Sequence, residues 1–242
     1  MLLEMYKVFT LYYDRYETAT TSLALKQAGI QHAILCHKNK TKFTNCYGTV
    51  MQTDKPKGIQ HNFNSGLNLI SEGEWAIFLS DDYKSSYRIN RKENKFEKCE
   101  LRYVYDKLCE TIKVADKIGA KLVGLNSTGN ALYAAKKYGK YGLVDGRMFA
   151  IKKTDFVWSK DISCIADYYA TLYHLNKYGG NLILQECYAE FERYGADGIG
   201  TLEARADQKR KEVSILKNIY KEKVIVKDKA GQPAGTHIII KR

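Results

Sequence analysis

Five consecutive apolar residues, Trp75-Ala76-Ile77-Phe78-Leu79, run straight into Ser80-Asp81-Asp82. A run this short and this apolar, bounded by turn-forming residues, reads as a buried strand. It delivers two carboxylates to its C-terminal tip. Any fold for this chain must therefore bury the strand and still leave its acidic end reachable.

The surrounding sequence supplies the cover. Tyr6 to Thr10 reads as a first strand, Glu17 to Ala28 as a helix ended by Gly29, and Ile30 to Cys36 as a second strand. Lys57 to Ile70 follows as a helix before the Trp75 strand. From Lys98 to Ile118 the apolar positions Leu101, Val104, Tyr105, Leu108, Ile112 and Ala115 recur at helical spacing, and Lys121 to Leu125 is another strand. The second half is mixed, with strands expected at Ala131 to Tyr141, Gly146 to Lys152 and Asn181 to Phe191 and a helix from Ile165 to Tyr178. A Gly-rich loop, Gly195 to Gly200, leads to a charged helix, Leu202 to Tyr220, whose Leu202, Ala206, Val213, Leu216 and Tyr220 share one side. Val224 to Val226 and Thr236 to Ile240 end the chain as strands. Alternating strands and helices followed by this texture predict an α/β fold with a partly antiparallel sheet. Two prolines and no low-complexity run in 242 residues leave no linker, so a single domain over 1–242 is expected.

Composition narrows the partners. The 39 Lys and Arg against 27 Asp and Glu give a net charge of +12, which attracts polyanions. No window reaches the ~18 apolar residues of a membrane helix, and Glu4 and Lys7 interrupt the start, so a cytoplasmic protein without membrane insertion is expected. The six cysteines, Cys36, Cys46, Cys99, Cys109, Cys164 and Cys187, form no Cys-x-x-Cys pair and read as reduced thiols.

Open α/β sheets bind ligands beyond the carboxyl ends of their strands. Two acids there suit a hard cation, Mn²⁺ or Mg²⁺, which would neutralise a departing diphosphate during glycosyl transfer. The run from Lys57 to Asp82 resembles nucleotide-sugar glycosyltransferases of the GT-A fold: a Lys-Gly start, an Asn-x-Gly helix, a Gly-Glu turn and an acidic metal motif occur in that order. Lys57, Asn64, Gly66, Gly73, Glu74, Asp81 and Asp82 match. The resemblance implies a Rossmann-like mixed sheet flanked by helices, with 1–125 as the nucleotide-sugar half and 126–242 as the acceptor half. It also implies donor contacts from Thr10, Tyr13, Asp14, Lys57, Asn64 and Ser80, metal ligation by Asp81 and Asp82 with His237 completing the shell, and Asp167 as catalytic base. Two departures stand out. Phe63 occupies a position where many relatives carry Arg, and the metal motif is Ser-Asp-Asp instead of Asp-x-Asp.

Basic and aromatic residues alternate in Tyr83 to Lys92 and again in Lys136 to Tyr141, a pattern suited to phosphates and stacked bases. With the Asp167 to Tyr178 segment, the Gly-rich loop and the charged helix, the whole is similar to the TET-associated glycosyltransferases, many of them phage-encoded. That resemblance implies transfer from a nucleotide sugar, a UDP-sugar first, to a hydroxymethylated pyrimidine in DNA, in a phage setting within the host cytoplasm. Two rivals are a related transferase acting on a lipid-linked or polysaccharide acceptor, and a nucleic-acid-binding module of the same fold without turnover.

Overall fold

Along the first strand, successive side chains enter different cores: Val8 packs on one face of the sheet and Phe9 on the other. The same alternation sends Ile77 and Leu79 to the first face and Ala76 and Phe78 to the second. Both strands are buried on two sides, as uninterrupted apolar sequence requires.

The computed structural model describes residues 6–12, 19–37, 47–53, 58–192, 202–228 and 236–240. In chain order the elements are β1 (Lys7–Leu11), α1 (Thr20–Gln27), β2 (Ala33–His37), β3 (Thr49–Thr53), α2 (Ile59–Asn68), β4 (Trp75–Ser80), β5 (Tyr83–Asn90), β6 (Lys95–Cys99) and α3 (Leu101–Ile118). Then come β7 (Leu122–Leu125), β8 (Tyr138–Gly139), β9 (Met148–Lys152), α4 (Ala166–Tyr178), β10 (Leu182–Leu184), β11 (Cys187–Phe191), α5 (Leu202–Tyr220), β12 (Val224–Asp228) and β13 (Thr236–Ile240).

Eight strands form the main sheet in the order β3-β2-β1-β4-β9-β7-β10-β8. Strands β1 to β4 are mutually parallel, whereas β9 runs antiparallel to both β4 and β7. The chain moves outward through β1, β2 and β3 and then returns to lay β4 on the other side of β1. That reversal is a topological switch point, where connecting loops diverge and a crevice opens at the carboxyl ends.

Helices α1 and α3 cover the Val8 face, and α2 and α4 cover the Phe9 face. All six apolar positions expected on α3 are buried. Against the second face an aromatic cluster joins Phe9, Phe63, Phe78, Phe149 and Trp158, with neighbouring ring centroids 4.7–5.4 Å apart. Gly66 lets α2 approach, since a Cβ there would lie 2.6 Å from the Phe78 ring. A small sheet, β11-β5-β6, stands beside the main one. The β12-β13 hairpin and α5 pack on α4 through Val213, Leu216, Val224 and Ile238.

Two expected strands differ. Ala131 to Tyr141 is a 3-10 turn over Ala131–Ala134 followed by the two-residue β8. Asn130 is the cause: its side chain accepts the Leu132 N–H at 3.0 Å and bends the backbone away from a ladder. Asn181 to Phe191 is two strands in two sheets, since the turn at Gln185 and Glu186 carries the chain from β7's side to β5's. Strands β3, β5 and β6 escaped the sequence reading. The Gly195 to Gly200 loop and Cys46 lie outside the described residues.

Candidate active site

The acidic tip of β4 is held by four hydrogen bonds from three segments. The Ser80 N–H donates to the Arg147 carbonyl at 2.8 Å, and the Ser80 carbonyl accepts from Thr21 Oγ1 at 2.7 Å. Thr20 Oγ1 donates to the Asp81 carbonyl at 2.9 Å, and the Glu192 N–H donates to the Asp82 carbonyl at 2.9 Å. Thr21 Oγ1 also accepts the Tyr83 N–H at 3.0 Å, closing the turn. The backbone is thus fixed by helix α1, by the segment before β9 and by the end of β11, while the Asp81 and Asp82 residues stay partly exposed.

Because β9 runs against β4, its amino-terminal approach reaches the same rim. There Asp145 and Arg147 form a forked ion pair, with Nε 2.7 Å from one carboxylate oxygen and a second guanidinium nitrogen on the other. Asp167, in the first turn of α4, lies against this segment: a Cβ on Gly146 would sit 3.3 Å from the Asp167 Cβ, so glycine permits the approach. The Asp167 carboxylate accepts the Tyr168 N–H at 2.9 Å. Burial, reinforced by the charge of Asp145, pushes the Asp167 carboxyl up to about 7, although part of the residue remains solvent-accessible. A carboxyl titrating near neutrality is suited to accept a proton and release it again. Burial, with Asp167 and Asp145, also pushes the Tyr168 phenol up to about 12, so it stays protonated.

The start of α4 is fixed from behind. Trp158 Nε1 donates to the Ala166 carbonyl at 3.2 Å, tying the helix to the aromatic cluster. The Glu212 carboxylate of α5 accepts the backbone N–H groups of Ser163, Cys164 and Ile165 at 2.9, 3.1 and 3.0 Å.

The other sequence candidates fall into three groups. Thr10 is wholly buried within β1, and its hydroxyl has no hydrogen-bond partner among the described residues. Asn64 is a clamp inside the fold: its amide donates to the Trp158 carbonyl and accepts the Trp158 N–H, both at 2.9 Å. Tyr13, Asp14 and Lys57 lie outside the described residues, as does the side chain of His237, whose backbone pairs with Lys227 in the terminal hairpin. Phe63, at the position of an expected Arg, stacks on Trp158 at 4.7 Å and has no route to a ligand.

Asp145, Arg147 and Glu212 were not singled out from sequence. A glycine between opposite charges ahead of an apolar strand was the available signal for the first two. For Glu212 it was an acid set into the apolar side of a helix.

The two basic and aromatic runs have different fates. Tyr83 to Lys92 is mostly β5, and three of its four cations are paired within the chain: Arg88 with Glu97, Arg91 with Glu186 and Lys84 with Glu192. Lys136, Lys137, Lys140 and Tyr141 are exposed on the segment that leads from the sheet edge toward Asp145.

No group of three or more His, Cys, Asp or Glu residues poised for a metal occurs among the described residues. At the tip of β4 the chain presents two neighbouring carboxylates, Asp81 and Asp82, which are oxygen donors of the kind hard cations take. No described helix is long and apolar enough to cross a membrane.

An open α/β sheet with carboxylates at its switch point defines a class, the α/β enzymes that act on a ligand lodged at the strand ends. The family model of the TET-associated glycosyltransferases matches residues 6–177, and the chain belongs to that family. By that membership it is classed as a transferase. Among solved structures the chain is similar to a mycobacterial protein, with 11% identity and a TM-score of 0.55 over 98% of this chain and 84% of that one, a likeness of fold. CMP:2-keto-3-deoxy-manno-octonic acid synthetase complexed with CTP aligns at 11% identity over 86% of this chain and 100% of that one, with a TM-score of 0.43, too low to carry weight. No curated protein matches the sequence.

Proposed function

We propose that the protein moves a sugar from a nucleotide-sugar donor, with a UDP-sugar first in line, to the hydroxymethyl group of a modified pyrimidine in DNA. The observation that carries this reading is the meeting of two acidic centres at one rim: Ser80-Asp81-Asp82 at the end of β4, and Asp167 across the Asp145-Gly146-Arg147 segment bonded to it. On this reading the sheet is of the GT-A type, residues 1–125 hold the donor, and residues 126–242 hold the acceptor.

Each group then has a task. Ser80, Asp81 and Asp82 seat the diphosphate end of the donor, and Tyr13, Asp14 and Lys57 serve the nucleotide, while Thr10, buried in β1, makes no direct contact and Asn64 acts through the Trp158 loop. Mn²⁺ or Mg²⁺, held by Asp81 and Asp82 with His237 as a further ligand, would supply charge neutralisation to the departing diphosphate. Asp167 takes the proton of the acceptor hydroxyl as the new carbon–oxygen bond forms, and the electron pair of the broken sugar–phosphate bond leaves with the nucleoside diphosphate. Arg147 adds a fixed cation beside the rim.

DNA is favoured over a lipid-linked acceptor by the net charge of +12 and by the exposed Lys136 to Tyr141 segment leading to Asp145. A base inside a duplex would have to leave the stack to reach Asp167.

The test incubates purified protein and Mn²⁺ with a panel of nucleotide sugars and either hydroxymethylated DNA or a glycolipid, and reads mass gain by one sugar. Transfer to the DNA is expected, with Asp81→Asn and Asp82→Asn each lowering it by about 100-fold or more, as loss of several kcal/mol of charge stabilisation implies. Transfer confined to the glycolipid overturns the acceptor assignment.

A further inference from the structure

Glu212 is fully buried, yet it sits on α5, a helix whose Lys- and Arg-rich sequence reads as solvated surface and which lies beyond the family match ending at residue 177. Its burial is explained by its partners. Oε1 accepts from the Ser163 N–H at 2.9 Å, Ser163 Oγ at 3.0 Å, the Cys164 N–H at 3.1 Å and Gln208 Nε2 at 2.9 Å. Oε2 accepts the Ile165 N–H at 3.0 Å. Ile165 is the cap residue of α4, and no side chain of its own caps that helix. Backbone donors buried in the turn that leads into a helix require acceptors. Here they are met by a carboxylate from another helix, and Val213 and Leu216 beside it pack on Ile162, Ile165 and Leu172.

We propose that Glu212 is the positioning residue for Asp167: from the C-terminal helix it holds the turn that presents this acid to the acceptor. The assignment rests on the reading of Asp167 as the base. Asp167 lies two positions after Ile165, so the cap sets where α4 begins and how deeply the acid sits against Gly146. The charged groups facing Asp167 are Asp145 and Arg147 from the β9 approach, with the Tyr168 phenol from α4 itself.

Glu212→Gln is the discriminating variant. Its amide can keep an oxygen toward the four donors at Oε1 only by turning its NH₂ toward the Ile165 N–H, so it disrupts the cap and little else. The probe is the carboxyl titration of Asp167, followed by NMR in aspartate-labelled protein and assigned with Asp167→Asn, with no substrate present. In the parent protein the group is expected to titrate near 7. In Glu212→Gln it should move at least about one unit toward the ordinary carboxylate range, as a loosened turn admits water. With UDP-glucose and hydroxymethylated DNA, kcat should fall about 10- to 100-fold, with KM for the nucleotide sugar unchanged. Should Glu212→Gln fail to fold, Glu212→Asp keeps the charge, withdraws it by one methylene and is expected to act in the same direction.

A titration and a kcat that both stay at their parent values in a folded variant overturn the proposal. If Asp167→Asn keeps full turnover, the base assignment fails, while a moved titration still identifies Glu212 as what fixes the acid. If Asp167→Asn is inactive and Glu212→Gln is indistinguishable from the parent, only the positioning role falls.

Discussion

Asp167 and His174 sit about two turns apart on α4 and respond to pH in opposite senses. His174 is wholly buried among Phe156, Tyr173 and Tyr178, with Nδ1 2.7 Å from the Ala170 carbonyl and Nε2 without a partner. Burial pushes its imidazole down to about 4. The unfolded chain therefore takes up this proton first, and stability that is complete above ~6.5 is lost as the pH falls toward 4, by up to ~3 kcal/mol. Asp167, raised to about 7, does the reverse: the folded state keeps a proton the unfolded chain has released, so its contribution is full below ~4 and is lost as the pH rises through 7. Thermal unfolding across pH 4 to 8 should accordingly give Asp167→Asn a higher Tm than the parent at pH 8 and little difference at pH 4. His174→Phe should flatten the acid side of the same curve. A parent-like acid limb in His174→Phe would show that other groups set it.

Among the elements, α1 and β4 depend on each other through two hydroxyls that nothing in their sequence advertises. Thr21→Val keeps the shape and removes the oxygen shared by the Ser80 carbonyl and the Tyr83 N–H. It should cost about 1–3 kcal/mol in urea unfolding and raise the donor KM, since Asp81 and Asp82 lose one support of their turn. The strand that carries those acids was legible from Trp75 to Leu79 because a strand covered on both faces needs no partner to be recognised. The helix α3 was legible because its apolar stripe is continuous. Strand β5 was hidden: Tyr83 to Asn90 is polar within the small sheet, and Arg88, with Arg91 just beyond it, read as a binding run until Glu97 and Glu186 appear opposite them. The acids that close β4 were legible as the end of an apolar run, whereas Asp167 came only from the family resemblance. Asp145 and Arg147 were not legible, because their place beside Ser80 depends on a pairing across more than 60 residues, and no local pattern encodes which strand becomes a neighbour.

Over the whole molecule, charge divides into cations neutralised within the chain and cations left to solvent. Lys136, Lys137 and Lys140 belong to the second kind. Replacing all three with Ala should weaken binding of single-stranded DNA and reduce the dependence of log K on log salt by about one for each phosphate that is no longer neutralised, as fluorescence anisotropy across salt would read. Arg91→Ala, which breaks a pair with Glu186, should leave that slope near its parent value. The reversed direction of β9 has a consequence at the same scale. A strand running against its neighbours begins where they end, and so brings its own leading residues to the rim without a loop long enough to drift. The placing of Arg147 beside Ser80 is then a property of the ladder, in which adjacent strands lie ~4.8 Å apart. Asp167 meets that fixed segment at Gly146, with no side chain between them to yield, which makes Asp167→Glu a change of distance, however conservative its chemistry.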